Sequence, residues 1–306
     1  MVAALTENSE NTVSEIKSIL ELRAMLDKCL ETGTNDLNYE DTLAQIEHLG
    51  EAESRDGTEA AILVGYILKE DAKKTFNRLA NYRKRCRTSG RIAHFDAFKM
   101  LCDEIIAPRV LTPHGFRITI GTENTDVLSE GILEIEKKME AIGYEIFINS
   151  GTLLGVIRSG TFIPHDDDID FGVVLHATDA ASAAAEWIEL KNTLEDMGLL
   201  KNVGWLGGIL KTHKIGTCTV DFFPAWVEGN SVFVYPHTSG ELVQADLLPL
   251  RRSDALNLPI PNNPEKMLAV NFGESWRIPD PLFKFSWGKQ RTHFSEFLNL
   301  TKEIQS

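Results

Sequence analysis

The chain has 306 residues, 43% apolar and 25% charged, which is the composition of a folded globular protein with room for one large domain or two ordinary ones. Its formal net charge of −14 argues against a general nucleic-acid binder, because a surface of that sign repels a polyanion. The four cysteines (Cys29, Cys86, Cys102 and Cys218) lack any zinc-like spacing and fit reduced thiols. The first residues carry no basic-then-apolar leader, and no run approaches the roughly 18 apolar residues of a membrane span. A cytoplasmic protein is expected, with peripheral contact at the inner face of a membrane left open.

Residues 1–110 read as a helical region suited to docking a partner or acceptor. Ile16, Ile19, Leu20, Leu26 and Leu30 recur at helical spacing, and Gly33 follows as a stop. A short helix fits Tyr39 to Leu49, closed by Gly50. A third pattern starts near Thr58 and runs through Ile62, Leu63, Tyr66 and Ile67 to Phe76 and Leu79. A fourth covers Ile92 to Ile106, ended by Pro108. Short helices joined by short loops suggest a small antiparallel bundle. One basic stretch lies inside it, from Lys73 to Arg91, with Lys74, Arg78, Arg83, Lys84, Arg85 and Arg87 between. It reads either as a solvated helix face or as a docking surface for an anionic acceptor or lipid headgroup.

From about residue 115 strands and helices alternate. Phe116 to Ile120 is a strand candidate. Leu128 to Met139 is an amphipathic helix with Thr125 or Asp126 as its cap and Gly143 past its end. Tyr144 to Ile148 and Asp168 to Leu175 read as strands, and Ala180 to Met197 as a helix closed by Gly198. Ile209 to Ile215 and Cys218 to Phe223 look like neighbouring strands around a Gly216 turn, and Val232 to Tyr235 adds another. From Leu248 the sequence is proline-rich and irregular, with one helix after Pro264. The mixture implies an α/β or α+β fold.

The chemistry concentrates in Phe147 to Val174, FINSGTLLGVIRSGTFIPHDDDIDFGVV. Ser150, Gly151 and Thr152 stand between a strand and a helix, where small residues let backbone approach a ligand and unpaired helix N–H groups can meet phosphate. Asp168 and Asp170 are two apart on a strand, so their carboxylates share a face and repel unless something positive lies between them. A divalent cation is the usual remedy, and magnesium favours a few carboxylates plus phosphate oxygens. Asp166 and Asp167 read partly as a surface acidic cluster. Asp221, the lone charge in Thr219-Val220-Asp221-Phe222-Phe223-Pro224, is the candidate third ligand, since an isolated buried carboxylate is costly without a cation or donors. Arg158, Lys211, His213 and Lys214 are the cations nearest these motifs and are candidates for neutralising substrate phosphate.

Three ordered motifs resemble the LicD/fukutin-type phosphotransferases of the nucleotidyltransferase superfamily. The first is Phe147–Val174, with Ser150 to Gly155, Arg158, Pro164 and the Asp166–Asp170 run. The second is Val220 to Pro224, and the third Asn271 to Trp276 with Pro279 behind it. The resemblance spans roughly residues 128 to 282 and implies an α+β fold, a nucleotidyltransferase-type mixed sheet flanked by helices, with residues 111–306 as catalytic domain. It further implies metal-dependent transfer of phosphocholine, ribitol phosphate or glycerol phosphate from a CDP-alcohol donor to a glycan or glycolipid hydroxyl. CMP is released, and cell-surface glycans such as lipopolysaccharide, teichoic acid or capsule are the family's acceptors. Asp168, Asp170 and Asp221 match the catalytic, metal-binding acids for magnesium or manganese, and Ser150, Gly151 and Thr152 the phosphate-side turn. His165 replaces the family's usual tryptophan, and Phe272 its usual tyrosine. A choline donor would want aromatic faces, for which Trp205, Phe222, Trp226 and Tyr235 are available, although most of them read as core. The alternatives are a metal-dependent nucleotide-sugar glycosyltransferase and a non-catalytic adaptor.

Overall fold

The computed structural model describes residues 16–33, 37–112, 114–200, 207–280, 288 and 292–304, the side chain of His213 excepted. The chain divides into two compact units, Met1–Phe116 and Arg117–Ser306.

The first unit is built from five helices: α1 (Ile19–Thr32), α2 (Tyr39–His48), α3 (Arg55–Leu68), α4 (Ala72–Thr88) and α5 (Ile92–Ile106). Ser18, Asn38, Ser54 and Asp71 cap the first four, each side chain accepting a backbone N–H of the first turn. The single periodic pattern from Thr58 to Leu79 is in fact two helices. Lys69 takes a left-handed conformation (φ 56°) that ends α3, and Asp71 starts α4. Helix α3 is central, packing on α1, α2, α4 and α5 with Ala60, Ile62, Leu63, Val64 and Tyr66 fully buried or nearly so. Beside them lies a buried carboxylate, Glu59. It accepts from Tyr82 Oη (2.5 Å) and Arg23 Nη1 (3.0 Å) and meets His94 Nε2 (2.5 Å). Burial opposes its charge, yet these hydrogen bonds prevail and hold its pKa below the ordinary value.

Strands β1 (Val110–Thr112) and β2 (Gly115–Arg117) form a small two-stranded sheet. The strand expected over residues 116–120 is shorter than the sequence suggested, because Ile120–Thr122 folds as a 3-10 turn.

In the second unit, α6 (Thr125–Ala141) is capped by Asn124, whose Oδ1 accepts from Asp126 N–H at 2.8 Å, and by neither Thr125 nor Asp126. There follow β3 (Glu145–Ile148), α7 (Ser150–Ser159), β4 (Asp168–Val174), α8 (Ala180–Asp196), β5 (Leu210–Ile215), β6 (Cys218–Glu228), β7 (Ser231–Val234) and β8 (Thr238–Val243). The sheet runs β3-β4-β6-β7-β8, with β5 also paired to β6. Strands β4 and β6 are parallel and the other pairs antiparallel. The fold is α+β, a mixed six-stranded sheet flanked by helices, with further helices N-terminal to it.

The C-terminal part is more regular than its prolines suggested. It contains α9 (Gln244–Leu247), a β9 (Arg251–Arg252) to β10 (Pro259–Ile260) pair, and α10 (Pro264–Phe272) with proline in its first turn. A final helix, α11 (Ser295–Glu303), packs on α8, while Phe294 and Phe297 close over Trp226.

Candidate active site

The strand alternation of β4 separates two kinds of residue. Ile169, Phe171 and Val173 are fully buried in the core, and Phe171 packs on Phe222 of β6. Asp168, Asp170 and Gly172 therefore face the other way. In the parallel β4–β6 ladder Asp170 is in register with Asp221, and in the antiparallel β5–β6 ladder Lys211 is opposite Asp221. Lys211, Asp221 and Asp170 thus form a row across three adjacent strands, with Asp168 one pleat along. Ligand oxygens of Asp168, Asp170 and Asp221 all lie within 4.8 Å of one another. Lys211 Nζ donates to Asp221 Oδ2 at 2.6 Å.

The turn from β3 into α7 is laced to this row. Asn149 N–H donates to the Asp170 carbonyl, and Asp170 N–H donates to Thr152 Oγ1, each at 2.9 Å. Gly151 N–H donates to the Asp170 carboxylate. A Cβ on Gly151 would come within 2.4 Å of Asp166 Oδ2 and 3.9 Å of Asp170 Oδ2, so only glycine lets the helix start lie against these carboxylates. Ser150 opens α7 in a left-handed conformation (φ 45°) and is buried.

Asp166 is no surface decoration. Its side chain hydrogen-bonds Asp168, and its backbone carbonyl accepts from Ile120 N–H at 2.8 Å. Asp167 lies 3.8 Å from Arg117, with a carboxylate oxygen within 4.8 Å of one of Asp168.

Burial, and then the charge of Asp168, push the Asp166 carboxyl well above its ordinary pKa. Burial followed by Asp168, Asp166 and Asp221 does the same to Asp170. Lys211 offsets the charge of Asp221. The donor set is all-oxygen, closely spaced and electron-rich, so the residues present fit a hard divalent cation.

The other candidate residues go elsewhere. Arg158 Nη1 reaches the Trp276 carbonyl at 3.5 Å, and burial lowers its pKa; no described contact brings it to the carboxylates. Lys214 is on the opposite sheet face, lining a groove beside α6 with Gly131, Lys138, Met139 and Phe222. His213 is on β5, and its side chain lies outside the described residues, as does Trp205. Phe222, Trp226 and Tyr235 are buried against Phe171, Phe294 and Phe297 and form no exposed aromatic cage.

Conversely, the structure brings in residues that are not among the candidate site residues. His237 Nε2 lies 3.1 Å from Ser150 Oγ, and burial pushes the imidazole pKa down to about 3, so the ring is neutral near neutral pH. Asn149, fully buried at the start of α7, presents an amide with no hydrogen-bond partner for either terminal atom among the described residues. Asn271 of the third motif accepts from Thr238 Oγ1 at 3.1 Å and ties α10 to β8.

Residues 143–263 match the family described as LicD/FKTN/FKRP, nucleotidyltransferase domain. The match begins just before β3 and includes all four site aspartates, Lys211 and His237, while the Asn271–Trp276 motif lies beyond it. No curated protein matches the chain. The matched residues take in the turn before α7 and the carboxylate row, so residues 143–263 belong to the LicD/FKTN/FKRP nucleotidyltransferase-domain family.

Proposed function

We propose that the chain transfers a phospho-alcohol (phosphocholine, ribitol phosphate or glycerol phosphate) from a CDP-activated donor to a hydroxyl of a glycan or glycolipid. The observation that carries this reading is the convergence of Asp168, Asp170 and Asp221 within 4.8 Å, beside a small-residue turn that opens a helix.

Asp168, Asp170 and Asp221 would hold magnesium or manganese. Bound there, the ion supplies charge neutralisation and Lewis-acid stabilisation of phosphoryl oxygens. The start of α7 presents the positive end of a helix dipole to the donor pyrophosphate. Ser150 adds a hydroxyl. With neutral His237 donating Nε2–H to Ser150 Oγ, the serine proton turns toward a phosphate oxygen. In the transfer the acceptor oxygen bonds the phosphorus that carries the alcohol, and the bond from that phosphorus to the bridging oxygen breaks. CMP leaves, and the hydroxyl proton passes to the carboxylate of Asp221, whose charge Lys211 balances. Positioning and charge stabilisation supply most of the acceleration in such a displacement.

Calorimetry with magnesium tests the reading without an acceptor. CDP-choline, CDP-ribitol, CDP-glycerol and UDP-glucose are titrated into the wild type and the Asp168→Asn/Asp170→Asn variant. Metal-dependent binding of one CDP-alcohol, lost in the variant, is expected. Binding of UDP-glucose alone would replace this reading with a nucleotide-sugar glycosyltransferase, and binding of none would leave the adaptor.

A further inference from the structure

Helix α4 is the chemical opposite of the rest of the chain. Its sequence, AKKTFNRLANYRKRCRT, holds seven lysines and arginines and no acid, within a protein of net charge −14. Thr75, Phe76, Leu79, Tyr82 and Cys86 are buried against the rest of the bundle. Everything on α4 that is exposed is basic or polar: Lys73, Lys74, Lys84, Arg85 and Arg87, with Asn81 and Thr88 between them.

Two exposed cations of α4 have acidic partners. Lys74 pairs with Asp71 at 2.8 Å, and Arg85 with Glu53 at 3.3 Å. Lys73, Lys84 and Arg87 make no ion pair among the described residues. At 100° per residue these three fall within about 60° of one another, a single stripe along a helix about 25 Å long. Such a stripe costs self-repulsion that an ordinary solvated helix avoids by interleaving acids.

We propose that this exposed side of α4 docks the protein on an anionic phospholipid bilayer, held by charge without inserting apolar side chains. Lys73, Lys84 and Arg87 span most of the helix on one side, so an extended anionic surface can meet all three. Both aromatic residues of α4, Phe76 and Tyr82, are buried, so the face offers no aromatic ring as a stacking platform for a single-stranded nucleic acid or a glycan. The acidic remainder does not cancel the attraction, because only charges within about a Debye length (~8–10 Å) of the surface count. No helix among the described residues is long and apolar enough to cross a membrane, so contact of this kind is reversible and adds to whatever else recruits the chain. The proposal does not depend on the transfer reaction.

Vesicle flotation with the full chain tests it. Vesicles of phosphatidylcholine alone are compared with vesicles in which about a third of the lipid is phosphatidylserine, at low and high salt. The chain is expected to float only with the anionic vesicles and to be released by salt. Lys73→Glu/Lys84→Glu/Arg87→Glu should weaken partitioning at least about a hundredfold, at roughly fivefold for each cation lost before the added glutamates count. A control with the same total charge, Lys28→Glu/Lys137→Glu/Lys302→Glu, should float nearly as well as the wild type. All six positions are exposed, and circular dichroism checks that both variants fold. Flotation equal on both vesicles, absent from both, or unaltered in the α4 variant overturns the proposal. Retention on heparin or RNA without vesicle binding reassigns the face to a soluble polyanion.

Discussion

Lys211 and Asp221 face each other across antiparallel strands β5 and β6, with Nζ 2.6 Å from Oδ2, at the edge of the carboxylate row of Asp168, Asp170 and Asp221. The lysine therefore does part of what a bound ion would do. Lys211→Met should destabilise the metal-free protein by about 1–2 kcal/mol in urea denaturation; Lys211 is about a third exposed, which discounts the larger cost of orphaning a fully buried partner. Magnesium should narrow the gap between variant and wild type, because the ion replaces the missing charge. A gap of the same size with and without magnesium would show that Asp221 and the ion do not share a site.

The same crowding predicts opposite signs for folding and binding at Asp170. Asn in its place keeps an oxygen for the Gly151 N–H while removing one of the mutually repelling charges. In a chelating buffer Asp170→Asn should melt about 2–4 °C above the wild type, corresponding to about 1 kcal/mol of relieved repulsion. Excess magnesium should raise the wild-type Tm and leave the variant nearly unmoved, so that the order reverses. Differential scanning calorimetry in both buffers reads this directly, and a variant less stable in chelator would mean that the carboxylates are not repelling.

Asp168, Asp170 and Asp221 were legible in the sequence because each carboxylate alternates with large apolar residues, and a two-residue period decides which face a strand residue takes. What alternation cannot tell is pairing. That Asp170 and Asp221 are neighbours depends on the parallel register of β4 and β6, which no local period encodes. The same limit separates Lys211 from Lys214: both were plausible phosphate partners by proximity in sequence, yet the pleat sends one to the carboxylates and the other to the α6 groove. His237 lay beyond reach, since it meets Ser150 only after β6, β7 and the connection to β8 have folded the chain back. In the helical unit the periodicity ran unbroken through Lys69 to Asp71, because a left-handed residue followed by a cap interrupts the backbone without interrupting the apolar spacing. Phe222, Trp226 and Tyr235 are core residues, as their hydrophobicity favours over a choline pocket.

The Glu59 hub makes stability of the helical unit depend on acid in a defined sense. Its folded pKa is lowered, so its contribution is present above the unfolded value, near 4.5, and is lost as pH falls below it. Glu59→Gln should cost about 2–3 kcal/mol at neutral pH, where it leaves Arg23 and Tyr82 with a weaker acceptor. The difference from wild type should shrink steadily as pH drops below about 4.5. Chemical denaturation across that range, followed by far-ultraviolet circular dichroism, checks both the size and the direction. A difference that widens in acid would mean the hub is held by its neutral form.

Two glycines next to the same strand should fail in different ways when given a methyl group. At Gly172 a Cβ would lie 2.1 Å from the ring of Phe147, a side chain with no exposure and nowhere to go. Gly172→Ala is therefore a folding lesion, costing about 1–3 kcal/mol or more by overpacking. At Gly151 the obstructing atom is Asp166 Oδ2, the end of a short carboxylate that can rotate away. The helix start survives that movement, but Asp166 then loses its place beside Asp168, and the methyl group stands where a donor phosphate would approach. Gly151→Ala should keep the wild-type Tm within about 2 °C and weaken metal-dependent CDP-alcohol binding at least about tenfold. Parallel melting and calorimetric titration of the two variants separate the outcomes. If Gly151→Ala binds as the wild type does, the turn before α7 is not where the donor phosphates rest, and the carboxylates would have to act on a substrate held from another side.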